Sequence, residues 1–385
     1  MRFSSRWKVS LVLPLLALLA LAGALVASGV LRAPVLQAAS PGFYLRTNLV
    51  SDIPGVARFT DAHLVNPWGL SHSPTSPWWV SDNGTGVSTI YDGDGRAFPL
   101  VVTIPPPAGS PKGTTSAPTG NVFNSVSSTN PDDFVVRKSG KAGPSIFMFA
   151  TEDGTISGWN PTVNPTHAIL AVDRSKVGLG AVYKGLAIGS SNNQDFIYAT
   201  NFRFSTVEMF DAKFKLVRSF TDAKLSHDCP LPHQCYAPFG IQNIGGNLYV
   251  TYALQDAAKH DDVAGLGHGF IDVFNTNGNF IKRLVSHGVL NSPWGLALAP
   301  ANFGKFSSDL LVGNFGDGFI HAFNPNTGAF LGQLKDQFGN AVQIDDLWAL
   351  AFGNGHAAGA TNELFFTAGI ADEAHGLFGK IQSEN

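Results

Sequence analysis

Pro293-Trp294-Gly295-Leu296 opens a stretch of the chain that reads strand by strand. Residues 294–298 form an inner strand, 309–313 a second, 319–323 a third and 330–334 an outer fourth by their β-branched and aromatic content. Asn314-Phe315-Gly316-Asp317-Gly318, between the second and third, supplies the glycines that a tight hairpin needs. The entry phrase recurs as Pro67-Trp68-Gly69-Leu70, Pro118-Thr119-Gly120, Tyr183-Lys184-Gly185-Leu186 and Pro238-Phe239-Gly240-Ile241, with a degenerate sixth copy, Leu347-Trp348-Ala349-Leu350. From first residue to first residue the steps are 51, 65, 55, 55 and 54, the period of four-stranded blades with enlarged loops. Six such units predict an all-β, six-bladed β-propeller.

The sixth unit is one strand short: after 348–352, 364–367 and 377–381 nothing remains to cover the sheet edge. Residues 43–50, Phe-Tyr-Leu-Arg-Thr-Asn-Leu-Val, resemble the outer strands of other units and are expected to close the ring. The second unit is the least regular, because Phe134-Val135-Val136 adds a strand-like run before 146–150.

Residues 1–39 place Arg2, Arg6 and Lys8 ahead of an apolar run over 9–31, which is followed by Gln37-Ala38-Ala39. This is the layout of a secretory signal, with an uncleaved membrane anchor as the alternative because the run is long. Residues 40–385 are then an extracytoplasmic propeller, secreted or periplasmic, and a membrane is a partner only if the segment is retained. Removing Arg2, Arg6, Lys8 and Arg32 from 25 basic residues leaves 21 against 28 acidic ones, a formal charge of −7. Nucleic acid, which demands a basic footprint, is not an expected partner, and a monomer is expected. Cys229 and Cys235, the only cysteines, are expected to form a disulfide. A zinc site completed by His227 and His233 is the alternative.

Several longer phrases add a resemblance. Asn66-Pro67-Trp68-Gly69-Leu70-Ser71, Ser81-Asp82-Asn83-Gly84-Thr85-Gly86, Ala150-Thr151-Glu152-Asp153-Gly154-Thr155 and Lys259-His260-Asp261-Asp262-Val263-Ala264-Gly265 resemble an uncharacterised bacterial exported family, some members of which carry a PEP-CTERM sorting tail. The chain departs from the tailed members at Ser383-Glu384-Asn385, so no sorting role is expected. More distantly the Pro-x-Gly-aliphatic pattern is similar to NHL-like propellers, a group containing scaffolds, lyases and lactone hydrolases.

In a propeller the entry to each innermost strand and the hairpin between its second and third strands open on one face, around the channel. Trp68, Lys184, Phe239, Trp294 and Trp348 precede the motif glycine and are candidate ligand-binding residues, with Arg203 from a hairpin. For the aromatic ones, packing between blades is the plainer reading; an aromatic mouth for a sugar or other flat ligand is the alternative. Asp82, Glu152, Asn201 and Asn314 from the hairpins, with Asp256, His260, Asp261 and Asp262 from the fourth unit's long insertion, are candidate metal ligands. Their oxygens suit Ca²⁺ before Zn²⁺, and no cofactor is required by any motif. Two functions follow: a module binding a small molecule, carbohydrate or protein on the channel face, or a metal-assisted lactonase-like hydrolase or lyase at the channel mouth. An enzyme of that kind requires three or more such ligands around one point on the axis.

Overall fold

The structure is a computed structural model that describes residues 42–225, 228–230 and 234–384. Six antiparallel sheets form the blades of a β-propeller. The innermost strands are Pro67–Ser71, Pro118–Phe123, Tyr183–Ser191, Tyr236–Ile244, Pro293–Leu298 and Leu347–Phe352, each followed outward by the next strands of its own blade. The sixth blade is completed from the other end of the domain. Phe43–Ser51 runs antiparallel to Leu377–Glu384, with Phe43 opposite Glu384 and Ser51 opposite Leu377. Phe59–Thr60 then adds a short parallel strand outside it, which the sequence did not announce.

The repeated phrase has a geometric cause. In every blade the inner strand carries one residue more than its neighbour across the step containing the motif glycine or Ala349, a β-bulge that bends the strand at the axis. Six bulges around one axis bring adjacent backbones together. A Cβ on Gly69 would lie 2.4 Å from Thr119 O, and one on Gly240 would lie 2.2 Å from Trp294 O. Threonines on the second strands satisfy the polar groups that the bulges free. Thr200 Oγ1 accepts from Gly185 N and donates to Phe239 O of the next blade, and Thr367 Oγ1 accepts from Ala349 N and donates to Trp68 O.

Two expectations need adjusting. The first blade's outer strand is only Val102–Thr103, shorter than the five-residue outer strand, 330–334, of the scheme read from the fifth unit. In the second unit the extra run becomes a separate hairpin, Val135–Lys138 with Lys141–Pro144, outside the blade. Cys229 and Cys235 are bridged, with Cα atoms 4.0 Å apart. His227, His233 and the segment 1–39 lie outside the described residues, and among those described no helix is long and apolar enough to cross a membrane.

Candidate functional site

The residues before the motif glycines do not line an open mouth. Trp68, Phe239, Trp294 and Trp348 are all buried and pack on one another at the axis, joined by Phe202 and Phe315 from the hairpins. Trp68 and Trp348 stack at 3.4 Å, Trp294 meets both edge-on at 6.3 and 5.8 Å, and Phe315 stacks on Trp348 at 4.1 Å. The channel is therefore plugged at its hairpin end. The four residues come from four different blades, so they pack between blades at the axis and do not form an accessible aromatic mouth.

Lys184 stands where the third blade would place its aromatic, and its side chain is 2% exposed. The ammonium lies 5.0 Å from the Trp68 ring centroid and 5.8 Å from that of Phe202, and it donates to Glu152 Oε1 at 2.5 Å and Asp261 Oδ1 at 3.2 Å. Asp261 Oδ1 also bonds His260 Nδ1 at 2.9 Å. From Glu152 the network continues around the axis. Trp348 Nε1 can only donate, and it does so to Asn66 Oδ1 at 3.1 Å, which turns Asn66 Nδ2 toward Glu373 Oε2 at 2.6 Å and Asn83 Oδ1 at 3.4 Å. Asn83 Nδ2 in turn donates to Glu152 Oε2 at 2.9 Å. One indole thus sets the orientation of two amides. The result is a hydrogen-bonded chain, Glu373–Asn66–Asn83–Glu152–Lys184–Asp261–His260, drawn from every blade but the fifth and lying on the aromatic plug.

The backbone that presents this rim is unusual. Asn66, directly before the first inner strand, has φ 46°, and Ala371, Asp372 and Glu373 are three consecutive left-handed residues at 60°, 54° and 62°. Each such non-glycine residue costs roughly 1 kcal/mol or more, and that strain concentrates at functional sites. The electrostatics follow from burial and partners. Burial pushes the Glu373 carboxyl up to about 7, the Asn66 amide opposing it, and pushes Asp262 up to about 6 against the Ser292 hydroxyl and Lys184. The His260 hydrogen bond holds Asp261 well below the usual carboxylate range, and the same bond raises His260. Burial opposes the charge on Lys184, but attraction to Glu152 and Asp261 outweighs it and its pKa is raised.

Of the candidate metal ligands, Glu152, His260 and Asp261 come together, with one ligand atom from each within 4.8 Å of the others. The remaining candidates bind elsewhere. Asp82 Oδ2 holds Thr89 N and Oγ1, Asn201 caps its own hairpin and bonds Glu208, Asn314 Nδ2 donates to Val289 O, and Asp256 Oδ1 takes the amides of His260 and Asp261. Asp262 stays beside the cluster, within the field of Lys184. Arg203 clamps Leu179 O and Gly180 O in the loop entering the third blade. Asn66, Phe202 and Phe315 belong to the network and the plug, and residue type alone does not single them out. The signal available for them was position, since each flanks an inner-strand entry or sits in a hairpin.

No protein-family model matches the chain. Among solved structures a streptogramin B lyase aligns with TM-score 0.50 at 13% identity, covering 89% of this chain and 98% of that one. A glucose dehydrogenase aligns with TM-score 0.50 at 12% identity, covering 87% and 98%. At this identity they share the fold. Two proteins of Acanthamoeba polyphaga mimivirus are similar in sequence. Uncharacterized protein R648 is 34% identical over 334 residues, 86% of this chain and 78% of the relative. Uncharacterized protein L690 is 30% identical over 334 residues, 86% of this chain and 84% of the relative. These relatives are viral and overturn the expectation of a bacterial exported family drawn from the quoted motifs. The chain belongs to the family that includes these two mimivirus proteins.

Proposed function

We propose that this propeller is a binding module, acting outside the cytoplasm, that takes a polar ligand on the rim crowning its plugged channel and holds no resident metal. The observation that carries the reading is the position of Lys184. Its ammonium already occupies the cage formed by Glu152, Asp261 and the rings of Trp68 and Phe202. A divalent ion bound to those carboxylate oxygens would sit roughly 3–4 Å from that ammonium, a repulsion on the order of 10 kcal/mol at an effective dielectric of about 20. What the rim leaves for a ligand is the exposed Asp261 and His260 side chains, 65% and 37% accessible. Hydroxyl-rich or amine-bearing groups, of a small molecule, a carbohydrate or a protein, suit such acceptors. Placement outside the cytoplasm is supported by the Cys229–Cys235 bridge.

The second reading is a metal-assisted, lactonase-like hydrolase or lyase. The proximity of Glu152, His260 and Asp261 favours it, and a streptogramin B lyase is built on the same fold.

Melting of the full chain in chelator, then with added Ca²⁺ or Zn²⁺, separates the two. The binding reading expects no metal-dependent shift in the wild type and a Ca²⁺-dependent rise in Lys184→Met, where the cage has lost its internal cation. A wild-type shift that disappears in Asp261→Ala/Asp262→Ala would replace it with the metal-assisted reading.

A further inference from the structure

The opposite end of the channel carries a second arrangement, independent of the rim. Below the plug the bore narrows to a void of about 40 Å³, room for about one water. It then opens into a far mouth of about 320 Å³ at the outgoing ends of the inner strands, lined by Ser71, His72, Asn121, Gln242 and Asn243 among others. Beside it, between the first and second blades, lies a cavity of about 780 Å³ floored by Trp79, Phe123, Ile146 and Phe147 and edged by the half-exposed Phe98 and by Leu100. Phe123 lines both spaces, and consecutive residues His72 and Ser73 line one each. The two spaces therefore adjoin.

Their chemistry differs in a way that specifies an occupant. Neither lining contains Asp, Glu, Lys or Arg. His72, the single ionisable side chain, sets its two ring nitrogens against the carbonyls of Ser73 and Phe352 at 2.8 and 3.0 Å, so it leaves no N–H free for a ligand. A charged group placed there would go unpaired, at a cost of several kcal/mol. Uncharged hydrogen bonding is available instead. Asn121 is 6% exposed, with Nδ2 committed to Trp79 O and Oδ1 unpartnered, and Ser71 Oγ and Trp78 Nε1 also lack partners. Buried groups left in that state cost roughly 1–3 kcal/mol each. The larger cavity has the size and apolar lining typical of small-molecule sites.

We propose that the far mouth and the adjoining cavity form one site for a neutral amphiphile, with an uncharged hydrogen-bonding head at Ser71 and Asn121 and an apolar tail over Trp79, Phe123 and Phe147. Octyl glucoside below its critical micelle concentration is the probe, with glucose as the head alone and decanoate as a charged-head counterpart. The readouts are melting temperature and tryptophan fluorescence, since Trp78 and Trp79 line the two spaces. Octyl glucoside should raise the melting temperature of the full chain with saturable dependence, while glucose and decanoate shift it much less. Ser128→Trp, which places a large ring in the wider cavity from an exposed position, should weaken binding at least tenfold, and Phe98→Ala should weaken it measurably. Phe280→Ala, which removes an equally exposed ring from the fourth blade's outer strand, should leave it unchanged. Equal stabilisation by decanoate, unchanged binding in both Ser128→Trp and Phe98→Ala, or no effect of octyl glucoside on the folded wild type would overturn the proposal. None of these outcomes bears on the rim at the other end.

Discussion

Lys184 is held by charge and not by packing alone, and that distinction is measurable. Its ammonium is buried against Glu152, with Asp261 meeting it from the exposed side, so removing Glu152 or Lys184 leaves the other charge poorly compensated, which typically costs roughly 3 kcal/mol. Glu152→Gln and Lys184→Met should each destabilise by about that amount in urea unfolding, and the double variant by clearly less than the sum. Additive losses would mean that the pair is not coupled. Glu373 supplies a pH test. The unfolded chain gives up this proton near 4.5 and the folded protein near 7, so between those values the folded state binds more protons and its stability falls as pH rises. The urea midpoint of Glu373→Gln should lack that part of the decline; parallel wild-type and variant profiles from pH 4.5 to 7 would refute it. At this scale the sequence was only partly legible. Glu152, His260 and Asp261 stood out as ligand-type side chains in hairpins and an insertion, and the structure joins them. Asp82 and Asn201 have the same chemistry but close their own turns, because a short acceptor in a hairpin can satisfy nearby amides as readily as a ligand, and Asn314 is spent on Val289 O. Which role each took depended on bulge geometry and on Trp348, neither of which residue type reveals.

The element with the most consequence is the strand Phe43–Ser51. It covers an edge whose Leu377, Phe378 and Ile381 are buried, and it is anchored at Tyr44. The Tyr44 hydroxyl donates to Phe303 O at 3.0 Å and accepts from Phe306 N at 3.1 Å, while its ring lies 5.0 and 6.0 Å from the rings of those residues. Tyr44→Phe keeps the ring contacts but leaves a buried carbonyl and amide unpaired, so a loss of about 2 kcal/mol is expected in urea unfolding. A loss below about 0.5 kcal/mol would show that the strand is held by its ladder and rings alone. This closure was legible because an outer strand has a composition that can be matched wherever it lies in the chain. The short parallel strand Phe59–Thr60 was not, since two residues carry no period. The hairpin tipped by Ser139 and Gly140 was half legible: its apolar first strand was visible, but its polar partner Lys141–Pro144 reads as loop.

For the whole molecule, the six bulges make the ring a set of similar joints, bridged by threonine in the third, fourth and sixth blades. The seam in the sixth blade then need not be the only place where the chain can begin. Phe43 and Glu384 are opposed across the ladder, so a linker of a few residues can join them. New ends can be opened at Ser139-Gly140, which turns with φ 50° and 78° at the tip of a hairpin outside the blades. In the natural order the last pairing must close a loop of nearly the entire domain before the sixth blade is complete. In the permutant those two strands become a local hairpin, and the entropy cost of that closure falls because it grows with the logarithm of loop length. The permutant should fold to the same far-UV circular dichroism and melt no lower than the parent. Folding that succeeds with the Ser139 opening but fails with one at Gly245-Gly246, which separates the inner and second strands of the fourth blade, would mean that an intact blade is the cooperative unit. Failure of both would show that the seam at Phe43–Ser51 is required in its natural order, and that the joints are not equivalent.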